Sequence, residues 1–125
     1  MSRNQLLSGR LTAIYEGLVE VIRKTDPDQA ALEDIFYGKN ISSLIKQGHA
    51  RGVVLLAASH SGLAVHEYSP LEIKKAVVGY GRAEKSQVQQ MVRAILGMKG
   101  LPAADAADAL AVAICHSNYG KAEAI

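Results

Sequence analysis

Three carboxylates in this sequence sit in largely apolar runs, where each is either a structural group or a ligand. Asp105 and Asp108 lie three residues apart at the head of a segment otherwise made of alanine, leucine and valine. On a helix that spacing puts both on one face. Two like charges about 4 Å apart repel by about 1 kcal/mol in water, and by several times that beside protein. A divalent cation turns this repulsion into attraction, and magnesium in particular takes carboxylate and water oxygens while leaving positions open for a phosphate. Each aspartate also has a purely structural reading, Asp105 as an N-cap and either one as negative charge favoured in a first helical turn. Glu33 is the third. It falls within the run Gln29–Phe36, sharing a pleat face with Ala31 and Ile35. A central strand covered on both faces reads as apolar throughout, so a carboxylate in its middle must be paired, hydrogen-bonded or bound to metal. On an edge strand the same residue simply sits in water, and both placements stay open.

Other chemistries have less behind them. Gly79-Tyr80-Gly81 is not a phosphate-cradling loop and suits a tight bend. Cys115 and His116 are adjacent, whereas a thiol nucleophile needs its base brought to it by the fold, with a third group to orient that base. Cys115 reads as core. His49, His60 and His66 show no metal spacing and read as surface or hydrogen-bonded histidines.

The elements that must position the carboxylates are legible. Leu7, Leu11, Ile14, Leu18, Val21 and Ile22 recur at helical steps, so 6–22 reads as an amphipathic helix ending near Lys24, with Asp26-Pro27-Asp28 as a turn. Gln29–Phe36 reads as a strand, broken by Gly38-Lys39-Asn40. A helix follows from Ile41 to Ser61, with Ser42 and Ser43 near its start and Gly62 past its end. Leu63–Tyr68 reads as a second strand, and Pro70 opens a short helix to Val78. Ala83–Leu96 reads as a helix with Val88, Met91, Val92, Ile95 and Leu96 on its inner face, and Ala104–His116 as a last, alanine-rich helix. Strand, helix, strand makes one βαβ unit, so the class is α/β. Two strands are a marginal sheet, so further strands are expected to be missing or supplied by a partner.

With 125 residues, one domain over 1–125 is expected. Hydrophobic residues at 49% and charged residues at 21% are ordinary for a globular chain. The longest apolar stretch, Ala109–Cys115, is far short of the roughly 20 residues a membrane span needs, and no membrane association is expected. The N-terminus lacks a secretory pattern, and a single cysteine excludes an intramolecular disulfide and a cysteine-rich zinc site. A cytoplasmic setting follows as the expectation. Net charge is only +2, but seven basic residues (Lys39, Lys46, Arg51, Lys74, Lys75, Arg82, Lys85) face three acidic ones between Lys39 and Lys85. A basic middle with separate carboxylates suits a polyanion and a cation together, although solvated helix faces would look the same.

Taken with their neighbours, these segments resemble the RuvC family of junction-resolving endonucleases. The likeness rests on Leu32-Glu33-Asp34-Ile35-Phe36, Gln47-Gly48-His49-Ala50-Arg51-Gly52 and His66-Glu67-Tyr68-Ser69-Pro70. It continues through Ile73-Lys74-Lys75-Ala76-Val77-Val78-Gly79-Tyr80-Gly81-Arg82-Ala83-Glu84-Lys85 and Asp105-Ala106-Ala107-Asp108-Ala109-Leu110-Ala111, running from about Leu11 to His116. The resemblance implies an RNase H-like fold in which four acidic positions bind two divalent ions per site, magnesium with manganese as a substitute. Glu33, Asp105 and Asp108 match three of the four. Lys74 and Lys85 match lysines that contact DNA near the cut, and Phe36 matches an aromatic that stacks on a base of the opened junction. Lys39, Lys75, Arg51 and Arg82 are expected to hold phosphates. The implied reaction is two-metal hydrolysis of a phosphodiester to a 5′ phosphate and a 3′ hydroxyl, performed by a homodimer on a four-way DNA junction, with branch-migration proteins as candidate partners.

The pattern departs from the family at its start. Family members begin with three strands, the first carrying an aspartate of the metal site, and this chain begins with what matches the first helix. The expectation is thus an N-terminally truncated RuvC-type fold, of mainly two parallel strands and about five helices. Two functional readings follow: a junction endonuclease, or a catalytically incomplete junction-binding module or inactive fragment of the same family.

Overall fold

A computed structural model describes residues 6–34, 40–80, 83–119 and 124–125. Its order is α1 (Leu7–Thr25), β1 (Gln29–Glu33), α2 (Ile41–His60), β2 (Ala64–Tyr68), α3 (Pro70–Val78), α4 (Lys85–Leu96) and α5 (Ala104–Tyr119). The strands β1 and β2 are parallel neighbours in a two-stranded sheet, as the βαβ reading expects. By packing, the chain divides into two compact units, residues 1–30 with 35–65 and residues 31–34 with 66–125.

Local chemistry sets most boundaries. Arg23 and Lys24 close α1 with charge suited to a helix C-terminus. Asp26 then takes a left-handed φ of 48°, its N–H returning to Ile22, and Pro27 cannot continue the helix. At the start of α2 the cap is Asn40, whose side chain accepts the N–H groups of Ser42 and Ser43 at 2.8 and 3.4 Å. The serines expected to cap are themselves the capped residues. Ser69 and Glu72 form a reciprocal capping box on α3, with Pro70 just inside. Gly79 ends α3 at φ 99°, a left-handed conformation that glycine adopts without strain. In α4 the Gln87 side chain accepts the Glu84 N–H at 2.8 Å, so this helix begins at Lys85 rather than Ala83. It was α5 that ran longer than expected, to Tyr119.

Within the first unit, α1 packs along α2, and Tyr15 meets His60 at 2.7 Å and in an edge-on ring contact. No residue of α1 is buried, so the apolar stripe expected to face a core does not reach one. Of α2, Ala57 and Ala58 are buried.

Within the second unit α3, α4 and α5 pack on one another. Tyr68, Ile73, Val77, Ala83, Val88, Val92, Ala111, Val112, Ile114 and Cys115 form one core. Fully buried alanines at 107 and 111 let α5 lie close to its neighbours. The inner face expected for α4 narrows to Val88 and Val92, because Met91, Ile95 and Leu96 lie on the exposed side. Gln89 Nε2 donates to the Pro102 carbonyl at 3.0 Å, fixing the connector from which α5 departs. Cys115 is core, as expected, and burial pushes its thiol up to about 11.

Candidate metal centre and its lysines

Glu33 is the last residue of β1, not the middle of a longer strand. The following residue still belongs to the sheet's edge, its N–H donating to the Tyr68 carbonyl at 2.8 Å. Glu33 lines a cavity together with residues of α5. Asp108 lies just past the first turn of that helix, and the two carboxylates line one cavity of about 210 Å³. Ala31, Leu32, Ala109 and Val112 supply the remaining wall, which is apolar. Ala31 was placed on the Glu33 pleat face from the sequence, whereas Leu32, Ala109 and Val112 were not singled out. The signal was spacing: Ala109 and Val112 sit one and four residues beyond Asp108, and Ala31 lies two before Glu33.

Apolar surroundings have an electrostatic consequence. Burial raises the Glu33 carboxyl above its ordinary value, and the negative charge of Asp108 raises it further. The ammonium groups of Lys74 and Lys85 act in the opposite direction. Lys85, the first residue of α4, places Nζ 3.9 Å from Asp108 Oδ2. Lys74 lies half-buried on α3, and Lys75 beside it is exposed. Two carboxylates under mutual repulsion in a mainly apolar cavity, with cations drawn to them, are a donor set that suits a divalent ion with open coordination positions.

Asp105 is exposed in the first turn of α5, inside the helix rather than at its cap. Helical periodicity puts it on the Asp108 stripe one turn away, and it is not among the residues lining the cavity. Among the described residues no three His, Cys, Asp and Glu side chains gather tightly enough to hold a metal. Arg51 sits half-buried on α2 in the first unit. Phe36, Lys39 and Arg82 lie outside the described residues. Elsewhere in the same unit, the Tyr68 hydroxyl hydrogen-bonds Nδ1 of His116, and His116 stacks on the buried His66 at a ring separation of 4.5 Å. These histidines, together with Cys115, are packing and tethering groups of the core and not a nucleophilic pair.

Comparison with known proteins supplies the family. The family profile of "Crossover junction endodeoxyribonuclease RuvC" matches residues 1–116. A protein of that name from Ruminiclostridium cellulolyticum is 54% identical over 112 residues, covering 89% of this chain and 68% of the relative. Another from Bordetella avium is 55% identical over 114 residues, covering 91% of this chain and 63% of the relative. The chain thus spans about two thirds of the length of the curated relatives it matches. Thermus thermophilus RuvC, solved in complex with a Holliday junction substrate, superposes with a TM-score of 0.91 at 36% identity, over 100% of this chain and 78% of that one. The fold is therefore that of the RNase H-like α/β nucleases of RuvC type, a class of metal-dependent hydrolases. The chain belongs to the RuvC family of crossover junction endodeoxyribonucleases.

Proposed function

We propose that this chain is a structure-specific DNA endonuclease that resolves Holliday junctions, with Glu33, Asp105 and Asp108 as its metal-binding carboxylates. The observation that carries the reading is that Glu33 and Asp108, far apart in the chain, line one small cavity in the field of two lysines. The Thermus thermophilus RuvC that it superposes on was solved with a Holliday junction substrate.

Glu33 and Asp108 would hold a divalent ion between β1 and α5, and Asp105 would join from one turn away. Magnesium is the expected ion, with manganese as a substitute and two ions per site. Such an ion lowers the pKa of an attacking water and stabilises the departing 3′ oxygen. The chain's own residues do the rest. Ala31, Leu32, Ala109 and Val112 give the carboxylates a mainly apolar wall, which offers them few competing hydrogen bonds. Lys74 and Lys85 offset the charge of a phosphate brought beside two acids. Lys75 and Arg51, with Lys39, Phe36 and Arg82 in their expected roles, would extend the DNA contact. A homodimer, branch-migration partners and a cytoplasmic setting belong to the same reading. Among the described residues no helix is long and apolar enough to cross a membrane.

The test is nicking of a synthetic four-way junction in magnesium. Glu33→Gln, which keeps the shape and removes the charge, should lower the rate by about two orders of magnitude or more. A chain that retards the junction in a gel but never nicks it would instead be a junction-binding module.

A further inference from the structure

The contact between Lys85 and Asp108 joins the two kinds of group in the site in a way that hydrolysis itself does not require. A lysine serving a phosphate alone would gain nothing from lying against a carboxylate that holds a metal. Here its ammonium is 3.9 Å from Asp108 Oδ2, and its charge also reaches Glu33. The side chain is 77% exposed, so no packing forces it into that position. It stands at the first residue of α4, where the helix dipole disfavours a cation, so the local backbone does not attract it either. What remains to draw it there is the pair of carboxylates.

Resting on the nuclease reading above, we infer that Lys85 is a tethered counter-cation for the metal-free site: it neutralises Asp108, competes with the entering ion for that carboxylate, and is released to meet a phosphate only once the ion is bound. The physical basis is exclusion by charge. A divalent ion on Asp108 cancels the attraction that holds the ammonium and repels it in addition. Entry of the ion and availability of the lysine are then linked, and by reciprocity a phosphate that draws Lys85 away favours ion binding. Because both partners are substantially exposed, at 77% and 47%, the pair is a weak one and the competition is correspondingly modest.

The experiment is a magnesium titration by calorimetry, at fixed ionic strength and without DNA, on the full chain and on Lys85→Met, Lys85→Arg and Lys99→Met. Lys99 is exposed in the connector before α5 and controls for the loss of one positive charge. Magnesium should bind roughly two- to fivefold more tightly to Lys85→Met than to the parent, with Lys85→Arg and Lys99→Met unchanged. Equal affinity in Lys85→Met, or an equal gain in Lys99→Met, would overturn the competition while leaving the nuclease reading standing. Failure of magnesium to bind any of the four proteins would overturn both. A second arm reads the release: calcium should increase the affinity for a four-way junction more in the parent than in Lys85→Met. An equal increase would sink the linkage.

Discussion

In the unit of α3, α4 and α5, side chains from three helices and the end of β2 close over one another, with Val92 and Cys115 fully buried. In the unit of α1 and α2, the helix with the cleaner apolar stripe has no buried residue, and Ile14, Val21, Ile41 and Ile45 face outward. The difference is one of neighbours rather than of pattern. A stripe along one face of a helix is buried only if enough partners cover it, and α1 has α2 against it within its unit. By contrast α5 is nearly uniform in hydropathy, yet it contacts both α3 and α4 and buries five residues. The cavity with Glu33 and Asp108 is built wholly in the denser unit, where close packing holds both carboxylates to fixed elements.

The contrast can be broken most directly by paired core substitutions. Val92→Ala removes two methyl groups from a fully buried position and should cost about 2 kcal/mol in urea unfolding. Val21→Ala, at an exposed position on α1, should change stability by no more than about 0.5 kcal/mol. Its sign should lean toward stabilisation, since alanine favours helix over a β-branched residue. Equal costs would mean that the α1 stripe is covered in solution. A smaller effect sharpens the site's place in this picture. Glu33 is a carboxylate held against desolvation and a like charge, so Glu33→Gln should raise metal-free stability slightly while abolishing stabilisation by magnesium. A metal-free loss would show that the glutamate is firmly satisfied by the protein alone.

Much of this was legible in the amino-acid order. Capping residues, glycines and Pro70 punctuate the chain strongly, so the helices and both strands fall close to where periodicity puts them. The Asp105/Asp108 spacing and the interrupted strand at Glu33 were enough to nominate the acids, because charge inside an apolar run has few cheap explanations. Three things were not legible. The stop of β1 at Glu33 depends on where the β2 partner ends, which is a matter of register and not of composition. The outward turn of Met91, Ile95 and Leu96 depends on how much of α4 its neighbours can cover. The Lys85–Asp108 contact joins the start of one helix to the first turns of another, and no pattern in either segment encodes it.

The smallest effect concerns pH and the ring cluster that ties β2 to α5. His116 is flanked by His66 and Tyr68 from β2 and by Cys115 on its own helix, with Glu72 of α3 acting on Tyr68 and Cys115. Burial, and then the neighbouring His66, lower the His116 pKa below its ordinary 6.5. The unfolded chain therefore takes up a proton first as pH falls, so stability should decline from about pH 6.5 down to the lower folded value and then level. On the alkaline side the signs reverse. Burial raises Cys115 from 9.0 to about 11 and raises Tyr68 above 10.0, so the folded state keeps protons that the unfolded chain loses, and stability should fall again from about pH 9 upward. Melting curves from pH 5 to 8 on the parent and on His116→Gln, which cannot titrate there, isolate the acidic arm. If both lose stability with the same slope below pH 6.5, the loss comes from other groups and the ring cluster is not a proton-sensitive joint of the denser unit.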